Sequence, residues 1–362
     1  MRILIINTVT TSNNGITHVI FNYIRAINGN EIVFDLVSRN KPDQRYIDDV
    51  ERQGGHIYHI DKFGNLLKYI WQLRTLIRRN KYDAVHIHGN SHTVYIELIG
   101  VWLGGCKVRI VHAHSTSCGS MFAHKILTPF FNILCTNRLA CGKAAGEFMF
   151  GKKPFIIINN GVDTEKFAFK MKYRSQFRYE WNCENDTKVI GHVGSFIAAK
   201  NHEFIIRVFD TLCKKSDKYR LVLIGDGVLR PVIEERINSW GLQKKVIFTG
   251  NINNVNEVLN AIDLILMPSL YEGLPLTLVE QQANGLKCVV SDSITQETDK
   301  TGNLRFVSLT APISEWGDAI ESQISMEGRG ERSKEAIKKI TKAGYNIQVE
   351  SQRLKDYCLN LF

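Results

Sequence analysis

The chain has 362 residues, with 46 Lys and Arg against 36 Asp and Glu, and a formal charge of +10. At 44% hydrophobic and 23% charged residues its composition is that of a globular protein. This excludes wholesale disorder and fibrous architectures and leaves room for about two domains, each with its own core. The charge is lopsided: residues 1–160 carry 19 basic and 10 acidic side chains, or +9, and residues 161–362 carry 27 and 26, or +1. The first half is therefore the part expected to meet something anionic.

Arg2–Asn7 reads as a strand whose four-residue apolar run is too short for a signal-peptide core. A polar loop containing Asn13-Asn14-Gly15 leads into a helical pattern over Ile16–Ile27. Strands are expected near Glu31–Val37, His56–Ile60, Ala84–His88, Val108–His112, Arg138–Ala140 and Phe155–Ile158. Leu66–Arg79 is an amphipathic helix within the basic stretch Lys62–Lys81. Val94–Leu103, interrupted by Glu97, is a buried helix and far short of the roughly 18 apolar residues that span a membrane. A polar, basic interval over Asn160–Arg178 is the expected hinge.

Lys188–Val193 then begins the plan again, with a glycine turn at Gly194 and a helix from about His202 to Leu212. Strands follow at Arg220–Ile224, Lys245–Thr249, Leu264–Pro268, Cys288–Val290 and Leu304–Val307, with helices at Pro231–Trp240, Val255–Ala261 and Leu276–Asn284. Strands alternating with helices imply an α/β fold of parallel sheets covered on both faces. Two such units in tandem make two Rossmann-like domains facing each other across a cleft. The expected division is 1–160, 161–335, and a helical segment 336–362 returning toward the first domain. The eight cysteines form no C-x-x-C pair, which suits free thiols in a reducing compartment and a cytoplasmic protein.

The most specific segment is Pro268-Ser-Leu-Tyr-Glu-Gly-Leu-Pro-Leu-Thr-Leu-Val-Glu280. It leaves a buried strand, turns at Gly and Pro, and enters a helix around Leu276. The backbone N–H groups of Leu276, Thr277 and Leu278 are then expected to point outward at a helix N-terminus, where an anion is stabilised. Glu272 and Glu280, eight residues apart, flank that anion site.

This segment resembles the Glu-x7-Glu motif of retaining, nucleotide-sugar-dependent glycosyltransferases of family 4, which have the GT-B fold. Asn160-Gly-Val-Asp163 with Phe167, Gly194 through Lys200-Asn201, and Gly225-Asp-Gly227 resemble further segments of that family in the same order. The chain is similar to bacterial capsular and exopolysaccharide enzymes, a subgroup that His112-Ala-His114-Ser and Cys141-Gly-Lys-Ala-Ala-Gly146 also fit.

The resemblance implies roles. Glu280 is expected to hold the ribose hydroxyls of a nucleotide sugar, a UDP sugar by this resemblance, and Glu272 to lie by the transferred sugar. Lys200 and the backbone near Thr277 and Leu278 hold the diphosphate. Gly194, Ser195, Gly225, Asn251, Ile252, Gly273 and Leu274 complete the donor site, and Gly15 belongs to the glycine loop of the first domain. His114 contacts the sugar and phosphate, so Glu272, His114 and Lys200 form the catalytic set. Where the family usually has an Arg, this chain has Ser195, so the diphosphate clamp lacks one bidentate donor.

His86, His88, His112 and His114 sit at i, i+2 near the ends of adjacent strands. Imidazole is a common zinc ligand, but no carboxylate or thiol stands at matching spacing, so the expectation is no metal and no cofactor. The basic face of Leu66–Arg79, with Arg52, Lys107, Arg109, Lys125 and Lys143, is expected to meet an anionic membrane surface carrying a lipid-linked or oligosaccharide acceptor. That places the protein in the cytoplasm, peripheral to the inner face of the cell membrane. The competing functions are an epimerase or phosphorylase of the same fold, a weakened pseudo-enzyme, and a nucleic-acid-binding protein. The last lacks a recognised motif or aromatic platform, so no nucleic-acid partner is expected.

Overall fold

A computed structural model describes all residues except 13, 28–30 and 63; Asn13 of the first glycine loop therefore lies outside the described residues. The chain divides into two compact units, Met1–Gly161 with Ile347–Phe362, and Val162–Asn346.

The first unit runs β1 (Arg2–Asn7), α1 (Gly15–Ala26), β2 (Val33–Ser38), α2 (Gln44–Glu51), β3 (Ile57–His59), α3 (Leu66–Asn80), β4 (Ala84–His88), α4 (Tyr95–Leu103), β5 (Val108–Ala113), α5 (Met121–Leu134), β6 (Asn137–Ala140), α6 (Lys143–Phe150) and β7 (Ile156–Ile157). Its seven-stranded sheet has the order β3-β2-β1-β4-β5-β6-β7, and its recorded pairings are parallel. The central strands β1, β2 and β4 are short and buried on both faces, which is why they read as largely apolar runs rather than alternating ones, whereas the edge strands β3 and β7 are partly exposed.

The second unit runs α7 (Thr164–Phe167), α8 (Met171–Glu180), β8 (Lys188–Val193), α9 (His202–Lys215), β9 (Tyr219–Ile224), α10 (Arg230–Ser239), β10 (Val246–Gly250), α11 (Val255–Val258), β11 (Leu264–Met267), α12 (Leu276–Ala283), β12 (Lys287–Ser291), β13 (Leu304–Val307), α13 (Ile313–Gln323) and α14 (Arg329–Lys342). Its parallel six-stranded sheet has the order β10-β9-β8-β11-β12-β13. The chain then returns to the first unit as α15 (Ile347–Leu359). There Glu350 accepts from the Asn159 N–H at 2.9 Å and Asn137 donates to the Tyr357 hydroxyl at 2.9 Å.

Two boundaries differ from the sequence-based expectation. The stretch expected as a hinge contains α8, which is part of the second unit because Arg174 and Arg178 both pair with the buried Asp263, at 2.7 and 3.1 Å. Asp263 also accepts from the Val189 N–H at 2.8 Å, tying α8 to the head of β8. Residues 336–346 likewise stay with the second unit. Ala336 and Ile340 lie in its core, and the buried Arg329 fastens the start of α14 by donating to the carbonyls of Leu259 (2.8 Å) and Ile262. The charge asymmetry survives these shifts, because residues 347–362 add two basic and two acidic side chains.

Candidate active site

In each sheet the strand order reverses beside the first strand, between β1 and β4 and between β8 and β11. The crevice at the carboxyl ends of two such strands is where open α/β sheets bind ligands. In the second unit the loops leaving β8 and β11 carry Lys200 and Glu272, and the Lys200 Nζ lies 2.5 Å from Glu272 Oε1. Both side chains are largely shielded, at 17% and 14% exposed.

The loops are held together by backbone. Leu270 N–H donates to the Ala199 carbonyl at 2.8 Å, and the Asn201 side-chain amide donates to the Pro268 carbonyl at 3.1 Å. Asn201 adopts a left-handed conformation (φ 55°, ψ 47°), one that asparagine tolerates better than most residues. The 72-residue separation between Lys200 and Glu272 is thus bridged by a rigid two-loop clasp.

Three glycines shape the floor. A Cβ on Gly194 would lie 3.2 Å from the Lys200 Cδ, so the lysine stem runs along the bare glycine. A Cβ on Gly225 (φ +132°) would lie 2.2 Å from the Gly194 carbonyl oxygen, and one on Gly227 would lie 2.7 Å from the Phe196 carbonyl oxygen. Only glycine permits these approaches. His192 and His202 flank Lys200. Burial lowers the His202 pKa to about 4, with the Lys200 charge adding to it, and pushes His192 well below the usual range. Both imidazoles stay neutral, so Lys200 is the cation of this pocket. The sequence signal for His192 is a polar residue in the interior of the strand KVIGHV.

The anion site at α12 is smaller than expected. Leu278 is buried and its N–H donates to the Pro275 carbonyl at 3.0 Å. That leaves the N–H groups of Leu276 and Thr277 without a backbone acceptor among the described residues. The expectation that Leu278 supplies a free donor is therefore corrected: Pro275, as N-cap, has no side-chain acceptor and the first turn tightens onto its carbonyl. Ile252 and Leu274 pack against the core of this unit as apolar walls, while Ser195, Asn251 and Gly273 are exposed or open. Arg230, near Gly250, pairs with Asp226 (3.1 Å) and Glu234 (2.7 Å) in this structure.

Glu280 has no hydrogen-bond or ion-pair partner among the described residues, and burial pushes its pKa up to about 8, against an opposing pull from Lys166. In the free protein at pH 7 its carboxyl is mostly protonated. A ligand hydroxyl that donates to this carboxylate would favour its ionised form and expel the proton. Nucleotide binding at pH 7 is expected to release protons, read as a dependence of the calorimetric enthalpy on buffer ionisation enthalpy, and Glu280→Gln should remove that dependence. For stability, a raised carboxyl pKa favours folding below the ordinary value of 4.5, and this advantage is lost as pH rises through about 8. The glutamine variant should lose less stability across that window.

In the first unit, Gly15 opens α1 with free space around its α-carbon, on the β1 side of the reversal. On the other side, β4 and β5 bring four imidazoles together. His86 Nε2 is 3.3 Å from His112 Nδ1, and His88 Nδ1 is 2.8 Å from His114 Nε2. The rings of His86 and His112 are stacked, as are those of His88 and His114. Burial lowers His86 to about 3 and His114 to about 4, and holds His88 and His112 well below their usual range. The cluster is therefore an uncharged lining able to donate or accept according to tautomer. Ring nitrogens of His86, His88 and His112 lie within 4.8 Å of one another, close enough to hold a metal ion. The His114 backbone N–H donates to the Asn90 side-chain oxygen at 2.9 Å.

The chain is similar to known proteins along most of its length. The sequence profile described as "Glycosyl transferases group 1" matches residues 174–342. EpsF of Bacillus subtilis (strain 168), which carries a glycosyltransferase name, is 33% identical over 350 residues, covering 92% of this chain and 90% of its own. The Escherichia coli UDP-Gal:alpha-D-GlcNAc-diphosphoundecaprenol alpha-1,3-galactosyltransferase is 28% identical over 240 residues, 62% of each chain. Among solved structures, Anabaena HepE in complex with UDP and glucose superposes with a TM-score of 0.78 at 14% identity, over 98% of both chains, a likeness of fold.

Proposed function

The chain belongs to the glycosyl transferases group 1 family and is a glycosyltransferase of GT-B fold; from that premise we propose that it moves a sugar from a UDP-linked donor to a lipid-linked or saccharide acceptor, with retention of anomeric configuration, in bacterial surface polysaccharide synthesis. The observation that carries the proposal is the Lys200–Glu272 pair at the strand-order reversal, beside the two open N–H groups of α12. As the glycosidic bond breaks, the leaving diphosphate gains negative charge. A fixed ammonium and a helix N-terminus stabilise that charge most in the transition state. Glu272, released from Lys200 by the phosphate, is placed to hold sugar hydroxyls and support positive charge at the reacting carbon.

The donor base and acceptor are supported by relatives: the HepE structures hold UDP, UDP and glucose, or UDP-glucose, and the E. coli relative is named for a diphospholipid acceptor. With Lys200 and the helix terminus supplying the electrostatics, the chemistry needs no metal ion, and His114 serves to position the transferring sugar. The test offers UDP sugars with a diphospholipid acceptor, with and without a chelator, and reads the product's anomeric configuration by NMR. A retained linkage formed equally in both is expected. An inverted product overturns retention, and loss of transfer in chelator overturns the metal-free mechanism and points to His86, His88 and His112.

A further inference from the structure

The helices α3, α4 and α5 lie side by side over one core, into which Leu73, Leu98 and Phe131 are buried. Glycines on α4 make the packing close. A Cβ on Gly100 would lie 2.9 Å from the Leu73 Cβ, and one on Gly104 would lie 2.7 Å from the Ile77 Cγ2. Each helix thus has its inward face fully partnered. A helix covering a core should then show water a polar face.

These three do not. Along α5, Phe122, Ile126, Phe130 and Ile133 form an outward stripe at intervals of three and four residues, with Phe122 77% and Ile133 73% exposed. On α3, Leu67 (80% exposed) and Trp71 stand outward. Trp102 at the end of α4 adds a second exposed indole. Isolated apolar side chains on a surface are ordinary, but a four-residue apolar stripe along one helix, with exposed indoles on the two helices beside it, marks an interaction surface.

The charge around the patch selects its partner. The three helices contain Lys68, Arg74, Arg78, Arg79 and Lys125, and a single acidic residue, Glu97. Glu97 is buried and bound by Lys62 at 2.9 Å and the Tyr69 hydroxyl at 3.1 Å, so it contributes nothing to the outer surface. Exposed aromatic and aliphatic side chains on helices that carry cations and no exposed carboxylate of their own match an anionic lipid interface. There the rings enter the headgroup boundary and the cations pair with phosphates.

We infer that the outer face of α3, α4 and α5 is an insertion surface for an anionic lipid bilayer, with α5 as its apolar ridge. This deepens the lipid-linked-acceptor proposal and rests on it. It also shifts the membrane contact expected from the basic helix alone to a mixed apolar and cationic surface. The connection is short: β5 ends at the histidine cluster, and the segment from His114 to Phe122 passes from that cluster to the ridge within eight residues. A lipid-held acceptor at the bilayer surface would reach the histidines without leaving the interface.

The test uses the full chain with phosphatidylcholine vesicles, with and without phosphatidylglycerol, read by co-sedimentation and tryptophan emission. The wild type should bind the phosphatidylglycerol vesicles, with a blue-shifted emission that disappears in a Trp71→Phe, Trp102→Phe variant. Combined Phe122→Ser, Ile126→Ser and Phe130→Ser substitutions should weaken binding at least about tenfold even at low salt, because lost apolar insertion is not restored by electrostatics. Arg74→Gln, Arg78→Gln and Arg79→Gln together should abolish the preference for phosphatidylglycerol. All the substituted side chains except the Arg74 stem are exposed, and thermal stabilisation by UDP reports whether the fold and donor site survive. Wild-type vesicle binding by the triple serine variant, or a wild type that ignores vesicles and self-associates through this face, overturns the inference. UDP stabilisation and transfer to a soluble saccharide acceptor test the donor reading separately and should be unchanged in every surface variant.

Discussion

Lys200→Ala should bind UDP weakly and transfer nothing measurable, whereas Glu272→Ala should bind UDP at least as well as the wild type and still lose transfer. The asymmetry follows from the 2.5 Å pair in the unliganded site. A diphosphate entering the wild-type pocket competes with Glu272 for the Lys200 ammonium. Removing the carboxylate leaves Lys200 unpaired and shielded, so its charge is fully available to the phosphate. Removing the lysine leaves a shielded carboxylate facing the incoming anion, which repels it and has lost its counter-charge. Each variant also lacks a group that acts on the charge developing in the transition state. Loss of one such group reduces kcat by about 10²–10³. Isothermal titration with UDP, beside single-turnover transfer from the donor sugar, separates the two effects. Equal loss of UDP affinity in both variants would show that the pair acts as a structural unit. Wild-type turnover in either would remove that residue from the reaction. Thermal unfolding should change little, since both side chains lie on loops fastened by the backbone bond between Ala199 and Leu270.

How far the site was legible depended on whether its signals were local. β4, β8 and β13 have the ends the sequence indicates, because turn residues bracket each of these short runs. The passage from β11 through Gly273 and Pro275 into α12 was legible for the same reason. α5 was not: its exposed and buried faces are both apolar and Pro129 sits inside it, so no polar period marks the helix. That is the property that makes it an interfacial ridge. α8 was hidden by its charge. Arg174 and Arg178 look like a solvated linker until Asp263, more than eighty residues later, neutralises both. The engagement of the Leu278 N–H was invisible for a subtler reason. Composition shows where a helix begins, but not whether its first turn closes on the preceding carbonyl. The identity of Lys200 as the pocket's cation was readable, yet its insulation by two neutral histidines depends on how β8 and α9 converge.

Gly225→Ala should be among the most destabilising substitutions in the second unit, and Gly273→Ala among the least, although both glycines lie on loops of the proposed donor site. At Gly225 the backbone has φ +132° and an added Cβ would meet the Gly194 carbonyl oxygen at 2.2 Å. The obstacle is backbone, not a side chain that can swing away, and the Gly225 N–H is itself bound to the Gly250 carbonyl at 3.0 Å. Relief requires separating the loops that leave β8, β9 and β10. The expected cost is on the order of 3 kcal/mol or more from steric overlap and backbone strain. For a unit of this size that corresponds to a melting shift of about 6–12 °C. The same displacement moves Gly194 away from the Lys200 stem, so UDP affinity should fall with stability. At Gly273, by contrast, nothing lies within 4 Å of an added Cβ and φ is outside the left-handed region. Its alanine variant should melt with the wild type, within about 0.5 kcal/mol. Any loss of donor affinity in that variant then reports a ligand passing close to the bare α-carbon between Glu272 and α12. A Gly273→Ala protein that is both stable and fully active would place the sugar farther from this loop. A Gly225→Ala protein as stable as the wild type would mean that the three glycine loops can separate without cost, and the site would then owe its shape to the ligand.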